Sequence, residues 1–303
     1  MRNHCLMAAL TMALATPCAA ANLPATPATA AAVFASAQPG DVVTLTGSFA
    51  SFSLADRDFG TAGLRVSAWG ATFSGTVTFT NVTGLSWRGG LSTVVPVTTS
   101  QRAFNIQRST RVTLDMVSIG GNGNGLGYGI IAQNSSAITV KGASIRKLRL
   151  GIGYLDVAGG TISGNLLTAM TSDGINITGS SSQITASANR CQLPAPSTGA
   201  HPDCIQMWSD TGKPQLADIT LTGNIVSGAT QGITLFDRGG QRIVITGNTI
   251  DTSYPQGIAC YLCDASRITG NTLTTQAGAR WQTVINATGV GLVVSDNSIG
   301  PRP

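Results

Sequence analysis

Glutamate is missing from this sequence, and all 13 acidic residues are aspartate. Lysine occurs only at Lys141, Lys147 and Lys213, aromatic residues make up 5% of the chain, and charged residues make up 10%. Glu and Lys commonly fill exposed helix surfaces, so their scarcity argues against a helical protein. Thr, Val, Ile and Ser take their place, which favours β structure.

The chain also has only a small excess of charge of one sign. The formal net charge is +5, and loss of Arg2 with an exported leader leaves 17 basic against 13 acidic residues, which is 17 − 13 = +4. The basic residues form no long run and no arginine-rich helix, so nucleic acid is not an expected partner. A small positive surplus suits an anionic polymer.

The first 21 residues have the layout of a secretory signal peptide. Arg2 precedes an apolar run, Leu6–Leu14, and the segment ends in small residues, Ala19–Ala21. We expect cleavage near Ala21, no membrane span, and a secreted or periplasmic protein whose residues 22–303 form one domain. Nothing in the pattern calls for more than a monomer.

Four cysteines remain after such cleavage, and an exported protein can oxidise them. Cys191 and Cys204 bracket a loop that contains Pro and Gly, and we predict that they close it. Cys260 and Cys263 are interpreted as a local bridge or as two buried thiols. A redox or zinc motif is the weaker alternative, because no second pair of ligands accompanies them.

Two short phrases repeat along the chain at a period near 24 residues. One has the pattern Thr-Gly-Asn and places Asn at positions 165, 189, 224, 248, 271 and 297, with spacings of 24, 35, 24, 23 and 26. The other pairs a turn residue with Gly or Cys and then Ile, as in Asp173-Gly-Ile175 and Asp203-Cys-Ile205. Such short β segments cannot bury their own apolar faces, so they must stack as a solenoid.

Stacking puts equivalent residues about 4.8 Å apart in columns. We expect the Ile column to point into the core together with Tyr154, Ile177, Met207, Leu235 and Cys260. The Asn column is expected to form a hydrogen-bonded ladder at a turn, where Asn tolerates left-handed backbone geometry. Residues 30–37 are predicted to form a short capping helix, and Pro39-Gly40-Asp41 a turn into the first strand.

The leader, the Ala-rich segment, Pro39-Gly40-Asp41-Val-Val-Thr-Leu-Thr-Gly47 and the Gly-Asn-Thr-Ile coils together resemble right-handed parallel β-helix proteins of the pectate-lyase-like superfamily. The resemblance implies an all-β, single-stranded right-handed parallel β-helix with a short N-terminal cap, and a polysaccharide substrate. The Asn-Thr-Asp, double-Asp and Gly-His-Gly motifs of polygalacturonases and the Asp-Pro-His of epimerases are not recognisable here. No catalytic residue is therefore carried over by identity.

The coil between Asn189 and Asn224 is about eleven residues longer than its neighbours and delivers His201-Pro202-Asp203 beside a core strand. The register places Asp173 next to Asp203, and two close carboxylates raise the pKa of one of them unless a cation lies between. Three chemistries are open. The pair could hold Ca²⁺, it could serve a retaining glycosidase, or His201 could be a proton-transfer base. The alternative without function is that both Asp side chains only cap turns.

Further candidates surround this pair. Asn176 and Gln206, with Thr234, form a predicted outward polar column, and Trp208, Phe236 and Tyr261 form an aromatic one that could bind sugar rings or simply pack. Arg146, Lys147 and Arg149 lie one coil before Asp173, and Lys213 and Arg238 follow Asp203. Cations of this kind pair with uronate carboxylates. In the lyase branch a Lys or Arg abstracts a proton, which makes Lys147, Lys213 and Arg238 candidates by resemblance.

These observations lead to three expectations about function. The first is cleavage of a uronic-acid-containing polysaccharide by β-elimination, with His201, Asp173 and Asp203 at the centre and Ca²⁺ as a conceivable cofactor. The second is a glycoside hydrolase that uses Asp173 and Asp203. The third is a non-catalytic glycan-binding or surface-structural solenoid.

Overall fold

The protein is described by a computed structural model covering residues 20–194, 202–301 and 303. It is a right-handed parallel β-solenoid of about 11 turns, and 3% of it is helical. The helix is α1 (Ala30–Ser36). The strands of the described ranges are, in chain order, β1 (Asn22–Ala25), β2 (Val42–Phe49), β3 (Phe52–Asp58), β4 (Leu64–Phe73), β5 (Val77–Arg88), β6 (Leu91–Thr93), β7 (Arg102–Gln107), β8 (Thr110–Asp115), β9 (Ser118–Gly120), β10 (Tyr128–Lys141), β11 (Ser144–Arg146), β12 (Leu150–Ser163), β13 (Leu166–Thr168), β14 (Ile175–Thr178), β15 (Ser182–Ser187), β16 (Arg190–Leu193), β17 (Asp203–Trp208), β18 (Leu216–Thr222), β19 (Ile225–Gly228), β20 (Gln231–Leu235), β21 (Gly240–Thr246), β22 (Thr249–Thr252), β23 (Gln256–Cys260), β24 (Cys263–Asp264), β25 (Arg267–Thr269), β26 (Thr272–Thr275), β27 (Val284–Ala287), β28 (Val293–Ser295) and β29 (Ser298–Ile299).

Each coil contributes strands to three faces, and every strand pairs in parallel with its equivalent one coil away. Face A contains β14, β17, β20, β23 and β27, in that order along the axis. Face B contains β15, β18 and β21, and face C contains β13, β16, β19, β22 and β26. The predicted all-β parallel solenoid is therefore confirmed.

The core is built from the columns that the repeat predicts. Ile175, Ile205, Ile233 and Ile258 stack in register and are fully buried. The second predicted core column is also fully buried, and it consists of Tyr154, Ile177, Met207, Leu235 and Cys260. Alternate residues of a strand point to opposite sides, so burial of this set turns the intervening residues of face A outward.

The asparagine ladder forms as predicted, but its backbone geometry differs from expectation. The Nδ2 of each Asn donates to the Oδ1 of the next, at 2.8 Å for Asn165 to Asn189 and 3.0 Å for Asn189 to Asn224. The left-handed φ falls on the residue before the Asn, for example 62° at Gly223 and 53° at Ala188. The expectation that Asn itself adopts this geometry was wrong, because the amide must instead turn inward to reach the next coil.

The N-terminal end is closed by the predicted helix. α1 buries Phe34 against the first coil, and Arg57 donates hydrogen bonds to the carbonyls of Ala35 (3.0 Å) and Ala37 (2.7 Å) at the end of the helix. These carbonyls lack partners within the helix, so the guanidinium satisfies them. β1, which precedes α1 and pairs with β2, was not predicted.

The predicted disulfide between Cys191 and Cys204 is present, and of the two alternatives for Cys260 and Cys263 the structure has the local bridge. Cys204 occupies a column that is otherwise glycine, at Gly174 and Gly232 on the neighbouring coils. A Cβ at Gly174 would lie only 2.6 Å from the Cys204 carbonyl oxygen and 2.8 Å from the Cys191 sulfur. The first bridge is thus buried in the core, and its Cys204 directly follows Asp203 in β17.

The extra length of the long coil is divided between two loops. One joins β16 to β17, and the other, residues 209–215, joins β17 to β18. The two loops therefore flank β17 at either end. Within the described ranges, no helix has the length and apolar character that crossing a membrane requires.

Candidate functional site

The centre of the site is the edge at which the chain enters face A. We call this column, Asp173, Asp203, Gln231 and Gln256, the entry edge. Ile175 pairs with Ile205, so Asp173 and Asp203 occupy equivalent positions on adjacent coils, and Asp203 pairs with Gln231 on the next. The predicted adjacency of the two aspartates is confirmed, while their catalytic role stays a prediction.

The two carboxylates are held by hydrogen bonds from the chain around them. The backbone N–H of Asp203 donates to Oδ1 of Asp173 at 3.1 Å, and Nδ2 of Asn176 donates to Oδ2 of Asp173 at 3.3 Å. Asp203 accepts from the Thr234 hydroxyl at 2.9 Å and from Nε2 of Gln206 at 3.2 Å. Such donors fix the carboxylates in place before any substrate arrives.

The polar column therefore has a role that the sequence analysis did not assign. Asn176 and Gln206 each orient the aspartate three residues earlier in the chain, and Thr234 is fully buried with its hydroxyl on Asp203. The shared spacing, Asp-x-x-Asn on one coil and Asp-x-x-Gln on the next, could have indicated that the amide binds the aspartate. Contact of Asn176 and Gln206 with substrate stays a prediction, but Thr234 cannot contact substrate in this arrangement.

The two aspartates differ in their access to solvent. Asp173 is 8% exposed, whereas Asp203 is fully buried. Asp173 is therefore the carboxylate of the pair that reaches the surface.

The predicted calcium role finds few ligands. Among the described residues, no group of three or more His, Cys or Asp side chains is placed to hold a metal ion. Ca²⁺ prefers six to eight oxygen ligands, while Asp203 is fully buried and already accepts hydrogen bonds from Thr234 and Gln206. Two buried amide oxygens, Asn176 Oδ1 and Gln231 Oε1, accept no hydrogen bond within the described part of the chain. The calcium role of Asp173 and Asp203 stays a prediction.

The aromatic column lies at the opposite margin, where the chain leaves face A. We call Thr178, Trp208, Phe236 and Tyr261 the exit edge. Thr178 pairs with Trp208, and the rings of Phe236 and Tyr261 have centroids 5.7 Å apart. The three aromatic side chains are half-buried, so each has packing contacts and an exposed part. Sugar binding by Trp208, Phe236 and Tyr261 stays a prediction.

Lys213 is engaged in ion pairs. Its Nζ lies 2.7 Å from Asp156 Oδ2 and 2.8 Å from Asp210 Oδ2. Hydrogen bonds to these two carboxylates raise the pKa of Lys213 above its usual value. A proton-abstracting base must be neutral, so this environment works against the catalytic role predicted for Lys213.

Arg238 lies outside the loop of residues 209–215 but is hydrogen-bonded to it. Its Nη1 donates to the backbone carbonyls of Asp210 and, at 3.1 Å, of Lys213. Arg238 therefore anchors the same loop that Lys213 ties to Asp156. The hydrogen bonds of Arg238 therefore give it a structural role, and the proposed reaction does not use it.

Two other predicted cations lie on the coil before Asp173. Arg149 is exposed, and its carbonyl accepts the N–H of Ser172 at 3.0 Å, which places Arg149 at the entry edge one coil away. Lys147 is exposed at a left-handed corner with φ of 57°, and Arg146 ends β11 on face C. Arg149 is the cation best placed to meet a substrate at Asp173. His201 lies outside the described residues.

Comparisons with known proteins are consistent with this fold. No protein-family model matches the chain, and no curated protein does. Among solved structures, the chain is similar to the A-module of the mannuronan C-5 epimerase AlgE6 of Azotobacter vinelandii, with 15% identity, a TM-score of 0.53, and coverage of 91% of this chain and 94% of that one. It is also similar to the polygalacturonase of Erwinia carotovora, with 13% identity, a TM-score of 0.51, and coverage of 95% and 82%. A third similar structure is the Dettilon tailspike protein, with 14% identity, a TM-score of 0.59, and coverage of 90% and 62%.

The structure neighbours are pectate-lyase-like right-handed parallel β-helix proteins, and this chain has their fold. Identity this low carries the fold and not the chemistry. Two of these neighbours are named for enzymes that act on carbohydrates, the epimerase and the polygalacturonase.

Proposed function

We propose that this chain is an exported enzyme that cleaves a polysaccharide along face A by hydrolysis, with Asp173 and Asp203 as the central pair. The observation that carries the proposal is the stacking of the two aspartates on adjacent coils, with the Asp203 N–H donating to Asp173 Oδ1 at 3.1 Å. Neighbouring strands lie about 4.8 Å apart. That strand spacing is close to the distance of roughly 5–5.5 Å between the two carboxyl groups of a retaining glycosidase.

The difference in exposure assigns the two roles. Asp173 reaches the surface and would donate a proton to the glycosidic oxygen as the bond to the leaving sugar breaks. Asp203 is fully buried and would not touch the sugar; fixed by Thr234 and Gln206, its negative charge would act from behind Asp173 to stabilise the positive charge that develops on the sugar ring. Water then completes hydrolysis and restores the proton to Asp173.

β-Elimination on a uronic-acid polymer is the second candidate. The observation in its favour is Arg149, an exposed guanidinium one coil before Asp173, which would neutralise a uronate carboxylate. His201, two residues before Asp203, would be the base in this scheme. Lys213 and Arg238 would not be, for the reasons given above.

Export is part of the proposal. The two disulfides are consistent with an oxidising compartment, and the described ranges contain no membrane-spanning helix. A signal peptide within residues 1–21 would deliver the chain there.

One experiment separates the candidates. Purified protein is incubated with polygalacturonate, alginate, chondroitin sulfate and dextran, and new reducing ends and the ultraviolet absorbance of unsaturated uronates are both measured. Hydrolysis predicts reducing ends without new absorbance, and β-elimination predicts both together. Retention on a polymer without any shortening of it would indicate the non-catalytic glycan-binding alternative and would overturn the proposal.

A further inference from the structure

The loop of residues 276–283 carries an exposed aromatic side chain for which the fold gives no reason. Trp281 is 51% exposed, and the Arg280 guanidinium lies over its ring, 4.3 Å from the centroid. About half of the surface of this side chain is therefore open to solvent. The guanidinium covers part of the ring and leaves the rest open to a ligand.

The loop itself is firmly anchored. Thr283 is fully buried, and its hydroxyl donates to the carbonyls of Thr252 (3.0 Å) and Tyr254 (2.9 Å). Gln276 donates to Asp251, and Gln282 donates to the Gly300 carbonyl at 3.1 Å. Arg280 and Trp281 are thus presented by a preorganised segment, as binding residues on a rigid scaffold are.

The position of this loop relates it to the acidic pair. It enters face A at Val284, which pairs with Gln256, and the column continues through Gln231 to Asp203. Trp281 therefore flanks the entry edge three coils beyond Asp203, roughly 14 Å along the axis. One hexose of an extended polysaccharide is about as long as one coil spacing. A chain bound at Asp173 and running along the entry edge would place a sugar at Trp281 about four units away, which is three units beyond Asp203.

We propose that Arg280 and Trp281 form a distal subsite for an acidic sugar of the polymer that is cleaved at Asp173 and Asp203. The indole stacks on the apolar face of the sugar ring, and the guanidinium pairs with its carboxylate or sulfate. This subsite rests on the proposed function for its role in cleavage, but its binding of an acidic polymer can be tested without cleavage.

The chain provides a matched control. Trp69 is 58% exposed and also has an arginine, Arg88, over its ring, at 6.0 Å. It lies in β4, near the N-terminal end of the solenoid and away from β14, β17 and the loop of residues 276–283. Trp69→Ala therefore removes an exposed aromatic side chain of the same kind outside the proposed binding path.

The test is affinity electrophoresis of the full chain through gels that contain polygalacturonate, alginate, chondroitin sulfate or dextran. We expect retardation by at least one acidic polymer, roughly tenfold weaker in Trp281→Ala and weaker in Arg280→Gln, and unchanged in Trp69→Ala. Arg280→Gln should also reduce the salt dependence of binding. Retardation by no acidic polymer, or equal retardation of wild type and Trp281→Ala, would overturn the subsite.

Kinetics then separate this proposal from the proposed function. On a polymer that is cleaved, Trp281→Ala should raise KM about tenfold with kcat unchanged, and should leave cleavage of oligosaccharides too short to reach the loop unaffected. If no polymer is cleaved but binding still depends on Trp281, the catalytic proposal fails and the subsite stands. A loss of kcat equal on short and long substrates would count against the subsite.

Discussion

The backbone N–H of Asp203 donates a hydrogen bond to the side chain of Asp173, thirty residues earlier in the chain, at 3.1 Å. This contact exists because one coil of the solenoid lies directly on the next. It makes the geometry of one aspartate depend on the coil that carries the other. Changes to the contacts that hold these two coils in place should therefore also affect the aspartate pair.

The Cys191–Cys204 bridge should stabilise the fold and keep Asp203 in position. Replacing both cysteines with serine should lower the free energy of unfolding by about 3 kcal/mol, because the bridge closes a loop of 13 residues. Cleavage should fall further than the stability loss explains, since Asp203 adjoins Cys204. Thermal unfolding and activity on the same samples check this.

The second bridge is the control for the first. Cys260 and Cys263 are separated by only three positions, so their replacement should cost roughly half as much stability. It should leave activity close to that of wild type. Equal activity loss in the two double variants would mean that the Cys191–Cys204 bridge has no particular bearing on the site.

The asparagine ladder should be a major source of stability. Asn224 is fully buried, donates to Asn248 and to the Ala186 carbonyl, and accepts from Asn189. Asn224→Ala leaves several buried groups without partners, so unfolding in denaturant should become easier by about 3 kcal/mol. Asn297→Ala, at the less buried end of the ladder, should lower the free energy of unfolding by about half as much, since water can hydrogen-bond the groups that lose the Asn297 side chain. Similar losses at the two positions would contradict a cooperative ladder.

The ion pair of Lys213 should make stability depend on pH at both extremes. Burial alone would raise the pKa of Asp156, but hydrogen bonds from Lys213 and Ser180 lower it below its ordinary value of 3.8, so its contribution is present above that pH and is lost as pH falls through the folded value. The pKa of Lys213 is raised, so its contribution is present below 10.5 and is lost as pH rises through the folded value. Lys213→Met should flatten both limbs of the Tm profile while leaving kcat unchanged. A large loss of kcat would restore Lys213 as a catalytic candidate.

Chelation tests the calcium prediction. The proposed hydrolysis needs only the two carboxyl groups and water, so we expect that activity persists in EDTA and that added Ca²⁺ does not raise it. Measurement of the cleavage rate after dialysis against chelator is sufficient. Loss of activity that Ca²⁺ restores would show that these carboxylates hold a cation together with ligands beyond those described.

Much of the architecture follows from the repeat in the sequence. The Ile column, the Tyr154-to-Cys260 column and the adjacency of Asp173 to Asp203 could be predicted because equivalent positions of a solenoid must stack. For these residues the one-dimensional period determines which of them are neighbours. The Cys191–Cys204 bridge could be predicted from the loop that it brackets, whereas the sequence left Cys260 and Cys263 open between a bridge and two thiols.

Contacts that depend on loop paths could not be obtained in this way. The partnership of Lys213 with Asp156 spans 57 positions and arises from the path of the loop of residues 209–215, which no repeat describes. Thr234 is fully buried with its hydroxyl on Asp203, which an outward position in a repeat does not reveal. The repeat does not indicate a role for Arg280 and Trp281, because they lie between two copies of it and have no equivalent residues on the neighbouring coils.

Replacement of Asp173 is the most direct test of the account. On whichever polysaccharide the wild-type protein shortens, Asp173→Asn should reduce the rate of appearance of reducing ends by a factor of about 10² to 10⁴ while Tm stays near that of wild type. Asp115→Asn, which alters the ion pairs of Asp115 in β8 with Arg88 and Lys141, is the control and should keep full activity. An Asp173→Asn protein that is folded and as active as wild type would contradict the central claim that the stacked aspartates perform the chemistry.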